Sequence, residues 1–364
     1  MYQNDLNYNA SDYSLTPYSD TVNATSALAD KLESLNKFLI QLVKSETVLC
    51  ANPNARYRAE LTEWYKKGLL QLPGYIEVVE VLPKRYTYAP YLNVFIECCE
   101  AMQLCGRGIE WRTALQAPEQ RFDCLNDMSA AQVFARLVTS VWLQCRSPAV
   151  CSAMYRLKYE ANKRYDNYCQ YVDALWLQSS RLIVVRLDLY YQKALAHTVT
   201  LEQVSVDINQ LLLCAPYAAE FSGLTGYIVK IEYGIDKGIH CHVTFFFDGS
   251  VRNPGCHVHH AKSIGELWKK VITKGEGTYW NVNAQAPNFE RQNCCAVGAI
   301  EWHDLKRRQH VQDYVIRYAC KPDQIIHLKV GRLVRSIRRG VGPKRPVIRI
   351  GRPRQCHDVG NSRI

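Results

Sequence analysis

The stretch YIVKIEYGIDKGIHCHVTFFFDG, Tyr227 to Gly249, places two β-type runs on either side of a glycine-bounded loop, Gly234 to Gly238. β-Branched and aromatic residues dominate both runs, so the segment reads as a β-hairpin. Successive side chains on a strand face opposite ways. Ile239, Cys241, Val243, Phe245 and Phe247 therefore share one apolar face, and His240, His242 and Thr244 share the other. If the loop closes at Gly234 and Gly238, Tyr233 pairs with Ile239 and Glu232 lies opposite His240. Val229, Ile231 and Tyr233 then join the apolar face, while Lys230 and Glu232 join the histidine face. A one-residue slip would reverse every assignment. In this register the β-carbons of Glu232 and His240 stand about 5 Å apart. Two imidazoles and a carboxylate make a three-ligand site with open positions for a substrate oxygen.

The competing reading is a pair of ordinary strand histidines on a solvated face. A second His-x-His, at His257 and His259 in "GCHVHH", falls in a Gly/Pro-flanked loop just ahead of a helix. Face alternation does not apply there, and it ranks below the first pair. A zinc site drawn from Cys256, His259, Cys294 and Cys295 fits no finger spacing.

Outward from the hairpin, "RLIVVRLDLYY" (Arg181–Tyr191) reads as a strand and Leu201–Leu213 as a helix. "SIGELWKKVI" reads as a short helix opened by Ser263, "AVGAIEW" as a strand, and "LKRRQHVQDYVIRYAC" as a helix stopped by Pro322. This order predicts an α+β domain over 179–330, an antiparallel sheet flanked by helices. Residues 23–178 read as a mostly helical accessory domain. Leu28, Leu32, Leu35, Leu39 and Leu42 recur at helical spacing, and helices are expected at Ala130–Cys145 and Val150–Gln178. Turns are expected at "ANPN", "LPG" and "RSP". The stripe Tyr155, Tyr159, Tyr168, Leu175 reads as core packing. Residues 1–22 are polar and expected to be unstructured.

The 364 residues carry 45 Lys+Arg against 34 Asp+Glu, a net charge of +11. The excess lies in the second half, and Lys329–Arg354 contains ten cations and no acid. A flexible basic tail over 331–364 points to polyanions. Arg332, Arg335, Arg338, Arg339, Lys344 and Arg345 are the expected phosphate contacts. Tyr279 and Trp280 in "GEGTYWNVN" are candidate base-stacking platforms. Fifteen scattered cysteines suit a reducing cytoplasm better than a disulfide framework. No stretch is long and apolar enough for a membrane, and the amino terminus does not read as a signal peptide.

The segment "YVIRYACK" supplies the second constellation. On a helix, Tyr314, Tyr318 and Lys321 project from one side. A phenol has a pKa near 10 and becomes a nucleophile when cations stabilise its anion. The His-hydrophobe-His strand followed by this tyrosine–lysine helix resembles the HUH endonucleases. Together with "RLDLYY", "GELWKKVITKGEGTYWNVN" and "AVGAIEWHDLKRR", it looks like the inovirus gene 2-type replication proteins (the YagK/YfjJ C-terminal domain family), over about Arg181 to Leu328.

The resemblance implies an HUH-like core and Mg²⁺- or Mn²⁺-dependent nicking of single-stranded origin DNA for rolling-circle replication. His240 and His242 would be ligands, Tyr318 the nucleophile with Lys321 beside it, and Tyr314 a candidate for a second attack. Glu232 as third ligand rests on the register. A host helicase and polymerase would be the partners, in the bacterial cytoplasm. A plasmid relaxase or transposase-like nickase would use the same residues. Different in kind are a non-catalytic prophage DNA-binding regulator and a zinc-stabilised interaction protein.

Overall fold

The computed structural model describes residues 27–45, 63–82, 87–234, 236–321, 326–327 and 336–342. The first half is helical: α1 (Ala27–Lys44), α2 (Glu63–Val81), α3 (Pro90–Ala101), α4 (Gly108–Ala114), α5 (Ala130–Cys145) and α6 (Pro148–Gln178). The predicted helix at 130–145 forms with those bounds. Ser129 and Gln132 close its amino end with a reciprocal capping box. "RSP" is a turn as the sequence suggests, with Ser147 capping α6 and Pro148 in its first position.

The "LPG" turn is not there. Pro73 lies inside α2, where Leu69, Leu72, Tyr75, Ile76 and Val78 are buried along the helix. Their burial outweighs the one backbone hydrogen bond that proline removes. "ANPN" lies outside the described residues. The aromatic stripe of α6 also divides. Tyr168 and Leu175 are buried, but Tyr155 and Tyr159 are 73% and 57% exposed and stack on each other in solvent. The first buried residue of α6 is Ala161, so the amino-terminal part of this long helix contributes little to a core.

β1 (Thr87–Tyr88) with β9 (Ile326–His327) and β2 (Arg121–Phe122) with β3 (Met128–Ser129) form two short ribbons separate from the main sheet. That sheet has six strands: β4 (Arg181–Tyr191), β5 (Leu224–Gly234), β6 (Gly238–Asp248), β7 (Gly277–Asn281), β8 (Gly298–Glu301) and β10 (Ile337–Arg339). Its order is β10-β5-β6-β4-β7, every pairing is antiparallel, and β8 also pairs with β4. The chain is therefore α+β. β7 and β8 share one edge of β4, and Asn283 fills the gap between them. Its side chain accepts from the Arg186 amide at 2.7 Å and donates to the Val184 carbonyl at 2.9 Å.

Both faces of the sheet are covered. Ile183, Val185, Val243, Phe245 and Phe247 join a core that continues into Leu35, Phe95 and Phe134 of the helical half. On this face α7 (Leu201–Cys214) and α8 (His257–Leu267) pack down through Val204, Ile208 and Ile264. Phe246, Val184 and Ile228 belong to the opposite face, under Tyr168, Val172 and Trp176 of α6. The face assigned from sequence to the histidines is thus interior. Burial of each of these phenylalanines contributes roughly 1.5–3 kcal/mol.

α8 starts at His257, so "GCHVHH" is the opening of a helix and not a loop, and Ser263 lies within it, donating to the His259 carbonyl. A short helix, α9 (Ala286–Arg291), precedes β8. The expected helix after β8 runs from α10 (Leu305–His310) through a π-helical turn, Val311–Ile316, into α11 (Arg317–Cys320). Part of the expected flexible tail is a strand, β10, on the sheet edge.

Gly238 sets the hairpin. It has a φ of +62°, and a β-carbon there would lie 1.8 Å from the Ala196 carbonyl oxygen. Gly238→Ala should lower stability by at least roughly 2 kcal/mol in denaturant titration. A change within 0.5 kcal/mol would show that the turn can move away.

Candidate metal and tyrosine site

The sequence-derived register is the observed one: Glu232 pairs with His240, Tyr233 with Ile239 and Gly234 with Gly238. Glu232, His240 and His242 point to one face and are 8%, 4% and 5% exposed. Among the described residues they are the one group of His, Cys, Asp and Glu side chains able to hold a metal ion, with donor atoms within 4.8 Å of one another. The Cys256, His259, Cys294, Cys295 alternative does not form such a group. Cys294 and Cys295 are buried, whereas Cys256 is exposed. His257 Nδ1 accepts a hydrogen bond from the Asn283 side-chain amide instead, at 3.1 Å.

Each histidine is oriented by its second nitrogen. His242 Nδ1 lies 2.7 Å from Asp188 Oδ1, and His240 Nδ1 lies 3.2 Å from the Gly238 carbonyl. With Nδ1 as donor in both, Nε2 is the nitrogen that a metal ion would meet. Asp188 pairs with His242 across β4 and β6. Arg186, two residues earlier and likewise buried, sets its Nε 3.6 Å from the same carboxylate oxygen. Tyr190 continues this row, and its ring stacks on His240 at 5.4 Å.

The Tyr318 hydroxyl closes the site. It lies 3.1 Å from His242 Nε2 and donates to Glu232 Oε2 at 3.3 Å. The Lys321 ammonium sits 4.2 Å from the centre of the Tyr318 ring, and the Arg186 guanidinium 5.1 Å from it. Tyr314 is not presented in the same way. Its ring neighbours that of His310 at 5.7 Å, and it packs on the second apolar cluster. The π-helical turn through Val311–Ile316 breaks the 3.6-residue winding on which a four-residue spacing shares one face.

The fit to a cation rests on the carboxylate as well as the imidazoles. Glu232 Oε1 is buried and has no hydrogen-bond partner, an arrangement costly for a carboxylate unless a cation meets it. The surrounding charges are consistent with an ionised ligand. Burial raises the Glu232 pKa, yet His242, Lys321 and Lys230 hold it well below the ordinary value.

The other expected contacts are distributed differently. Tyr279 and Trp280 are neighbours on β7 and so face opposite ways. Tyr279 covers Gly265 and donates to Glu266, while Trp280 packs on the second cluster. They form no common platform. Arg338 donates to Asn209, and Arg339 donates to Asn167 and stacks over Tyr171. Both tie β10 to helices. Arg332, Arg335, Lys344 and Arg345 lie outside the described residues.

Sequence reasoning missed Asp188 and Arg186, and it placed Lys230 on the histidine face, as observed, without giving it a role. The signal was present in "RLIVVRLDLYY", where Arg186, Asp188 and Tyr190 alternate within an otherwise apolar strand. No helix among the described residues is long and apolar enough to cross a membrane. No protein-family model, curated protein or solved structure matches the chain.

The site predicts a pH dependence for the metal-free protein. Burial lowers the His242 pKa, but Asp188 and Glu232 outweigh it and raise it to about 9. A histidine raised above its unfolded value of about 6.5 stabilises fully below that pH and loses the contribution as pH rises through 9. Asp188 is held at about 2, so its own contribution is lost only in acid. His257 and His260, lowered mainly by burial, act oppositely below about pH 6.5, and Lys230, also lowered mainly by burial, acts oppositely at higher pH. In chelator, the melting temperature should fall between about pH 7 and 9, and Asp188→Asn should flatten the fall. Equal slopes in wild type and Asp188→Asn across that interval would refute the His242–Asp188 coupling.

Proposed function

We propose that this chain is a metal-dependent nickase of the HUH type, a replication initiator that cuts one strand of single-stranded origin DNA. The observation that carries the reading is the Tyr318 hydroxyl, seated 3.1 Å from His242 and 3.3 Å from Glu232 within a group able to hold a metal ion. A tyrosine buried against potential ligands is poorly explained by packing, since apolar residues would fill the space without buried polar atoms.

Glu232, His240 and His242 would hold the cation through imidazole nitrogens and a carboxylate oxygen. This donor set suits Mn²⁺ better than Mg²⁺, which favours oxygen ligands. When bound, the ion supplies a Lewis acid for a phosphoryl oxygen. Tyr318 Oη attacks phosphorus as its proton is relayed past Glu232 Oε2, which it already faces, to solvent water. The Oη–P bond forms as the P–O3′ bond breaks. The departing electron pair stays on the 3′ oxygen, which takes up a proton and becomes a free primer hydroxyl. The 5′-phosphotyrosyl bond retains the phosphoester energy, so a 3′ hydroxyl can reverse the step without ATP. Arg186 and Lys321 offset negative charge building around the attacking oxygen. Asp188 orients His242. Arg332, Arg335, Lys344 and Arg345 would grip the strand through its phosphates, independent of sequence. Tyr314 would serve in a second attack only after rearrangement of the π-helical turn.

Incubation with candidate-origin DNA and Mn²⁺ should yield an SDS-resistant adduct. Tyr318→Phe should remove it, as should His240→Ala and His242→Ala, each by at least 100-fold with DNA binding retained. Tyr314→Phe should leave the first adduct intact. Wild-type adduct levels from Tyr318→Phe would overturn the assignment, and binding without any adduct in the wild type would favour a regulator.

A further inference from the structure

Cations collect around the triad beyond what its carboxylates balance. Lys230 pairs with His242 across β5 and β6 and lies two residues from Glu232, so its side chain leaves the sheet on the triad face. It is only 5% exposed. Lys321 holds its ammonium against the Tyr318 ring, and Arg186 lies beside Asp188. Arg164 of α6 is close enough to repel the Lys230 ammonium, and its Nε is buried with no hydrogen-bond partner.

The electrostatics agree with that placement. Burial pushes the Lys230 ammonium's pKa down, Glu232 opposes the shift, and Arg164 and Lys321 add to it by repulsion. Four cations, Lys230, Lys321, Arg164 and Arg186, thus surround two carboxylates, Glu232 and Asp188, before any divalent ion is counted. A buried ammonium is costly, and an apolar residue of similar length at this position would be as stable or more so. The excess positive charge calls for an anionic ligand.

We propose that Lys230, flanked by Lys321 and Arg164, forms an anion subsite that takes the non-bridging oxygens of a phosphodiester next to the metal-binding triad. The proposal rests on the nickase reading for the identity of its ligand, a DNA phosphate. The lysine ammonium is a compact charge with three donors, suited to phosphate oxygens. Negative charge gathers on the oxygens around phosphorus during transfer, so a fixed cation there acts on rate as well as binding.

The test uses the full-length chain loaded with Mn²⁺ and titrated with inorganic phosphate, read by paramagnetic broadening of the phosphorus resonance. Lys230→Met should weaken phosphate binding at least tenfold, leave Mn²⁺ affinity within about threefold, and melt no lower than the wild type. Lys230→Arg should recover part of the loss. Lys230→Gln provides the same comparison if the methionine variant does not fold. Equal phosphate affinity in wild type and variant, or no phosphate binding by the wild type, overturns the subsite. The two readings fail separately. Lys230-dependent phosphate binding in a wild type that forms no DNA adduct supports the subsite and removes the nickase. A Lys230→Met protein that forms the adduct at the wild-type rate removes the subsite and keeps the nickase.

Discussion

The register of the β5–β6 hairpin is the constraint on which the rest of the site depends. Gly238 admits no β-carbon, because its φ is positive and the Ala196 carbonyl fills the space. That turn pairs Glu232 with His240 and Lys230 with His242. On its other edge β6 pairs with β4, which brings Asp188 to His242. A slip of one residue on β5 would turn Glu232 and Lys230 into the apolar core and Ile231 toward the histidines. One hairpin therefore decides which side chains could meet a metal ion, the charge beside them and the partner that orients His242. The helix bearing Tyr318 then lays its hydroxyl onto a site already built by strands.

Such a site is expensive. Arg186, Asp188, Lys230, Glu232, His240, His242 and Thr244 all lie buried in a sheet covered on both faces. Each buried ion costs several kcal/mol unless it is paired and hydrogen-bonded. Asp188 is satisfied by His242 and Arg186, and Asn283 supplies the backbone of β4 with the partners that β7 and β8 leave out. The apolar bulk of the two clusters offsets what remains. Polar residues in a position where valine or phenylalanine would be more stable are a signature of function rather than of folding.

Legibility from sequence followed the strength of local periodicity. Period-2 alternation and a glycine-bounded loop fixed the hairpin, its faces and the Glu232–His240 pairing to the residue. Capping chemistry made α5 readable, with Ser129 and Gln132 three apart. What failed was decided by tertiary packing. Pro73 is carried through α2 by burial on either side of it, and Tyr155 and Tyr159 lie on a stretch of α6 that contributes little to the core although their spacing suits one. Tyr314 was paired with Tyr318 by assuming α-helical winding, and the π-helical turn undoes that assumption. Arg186 and Asp188 alternate visibly within their own strand, but their place beside His242 needed the strand order of the sheet, which no local pattern gives. Trp280 and Tyr279 were separable by alternation alone.

The proposed chemistry requires that the hairpin build a cation site beneath Tyr318. Anomalous diffraction from crystals soaked in Mn²⁺ tests this directly. A single strong peak about 2.2 Å from Glu232, His240 and His242, with the Tyr318 hydroxyl beside it, is the expected result. A peak at His257 and His259, or none at the triad under saturating Mn²⁺, would contradict it.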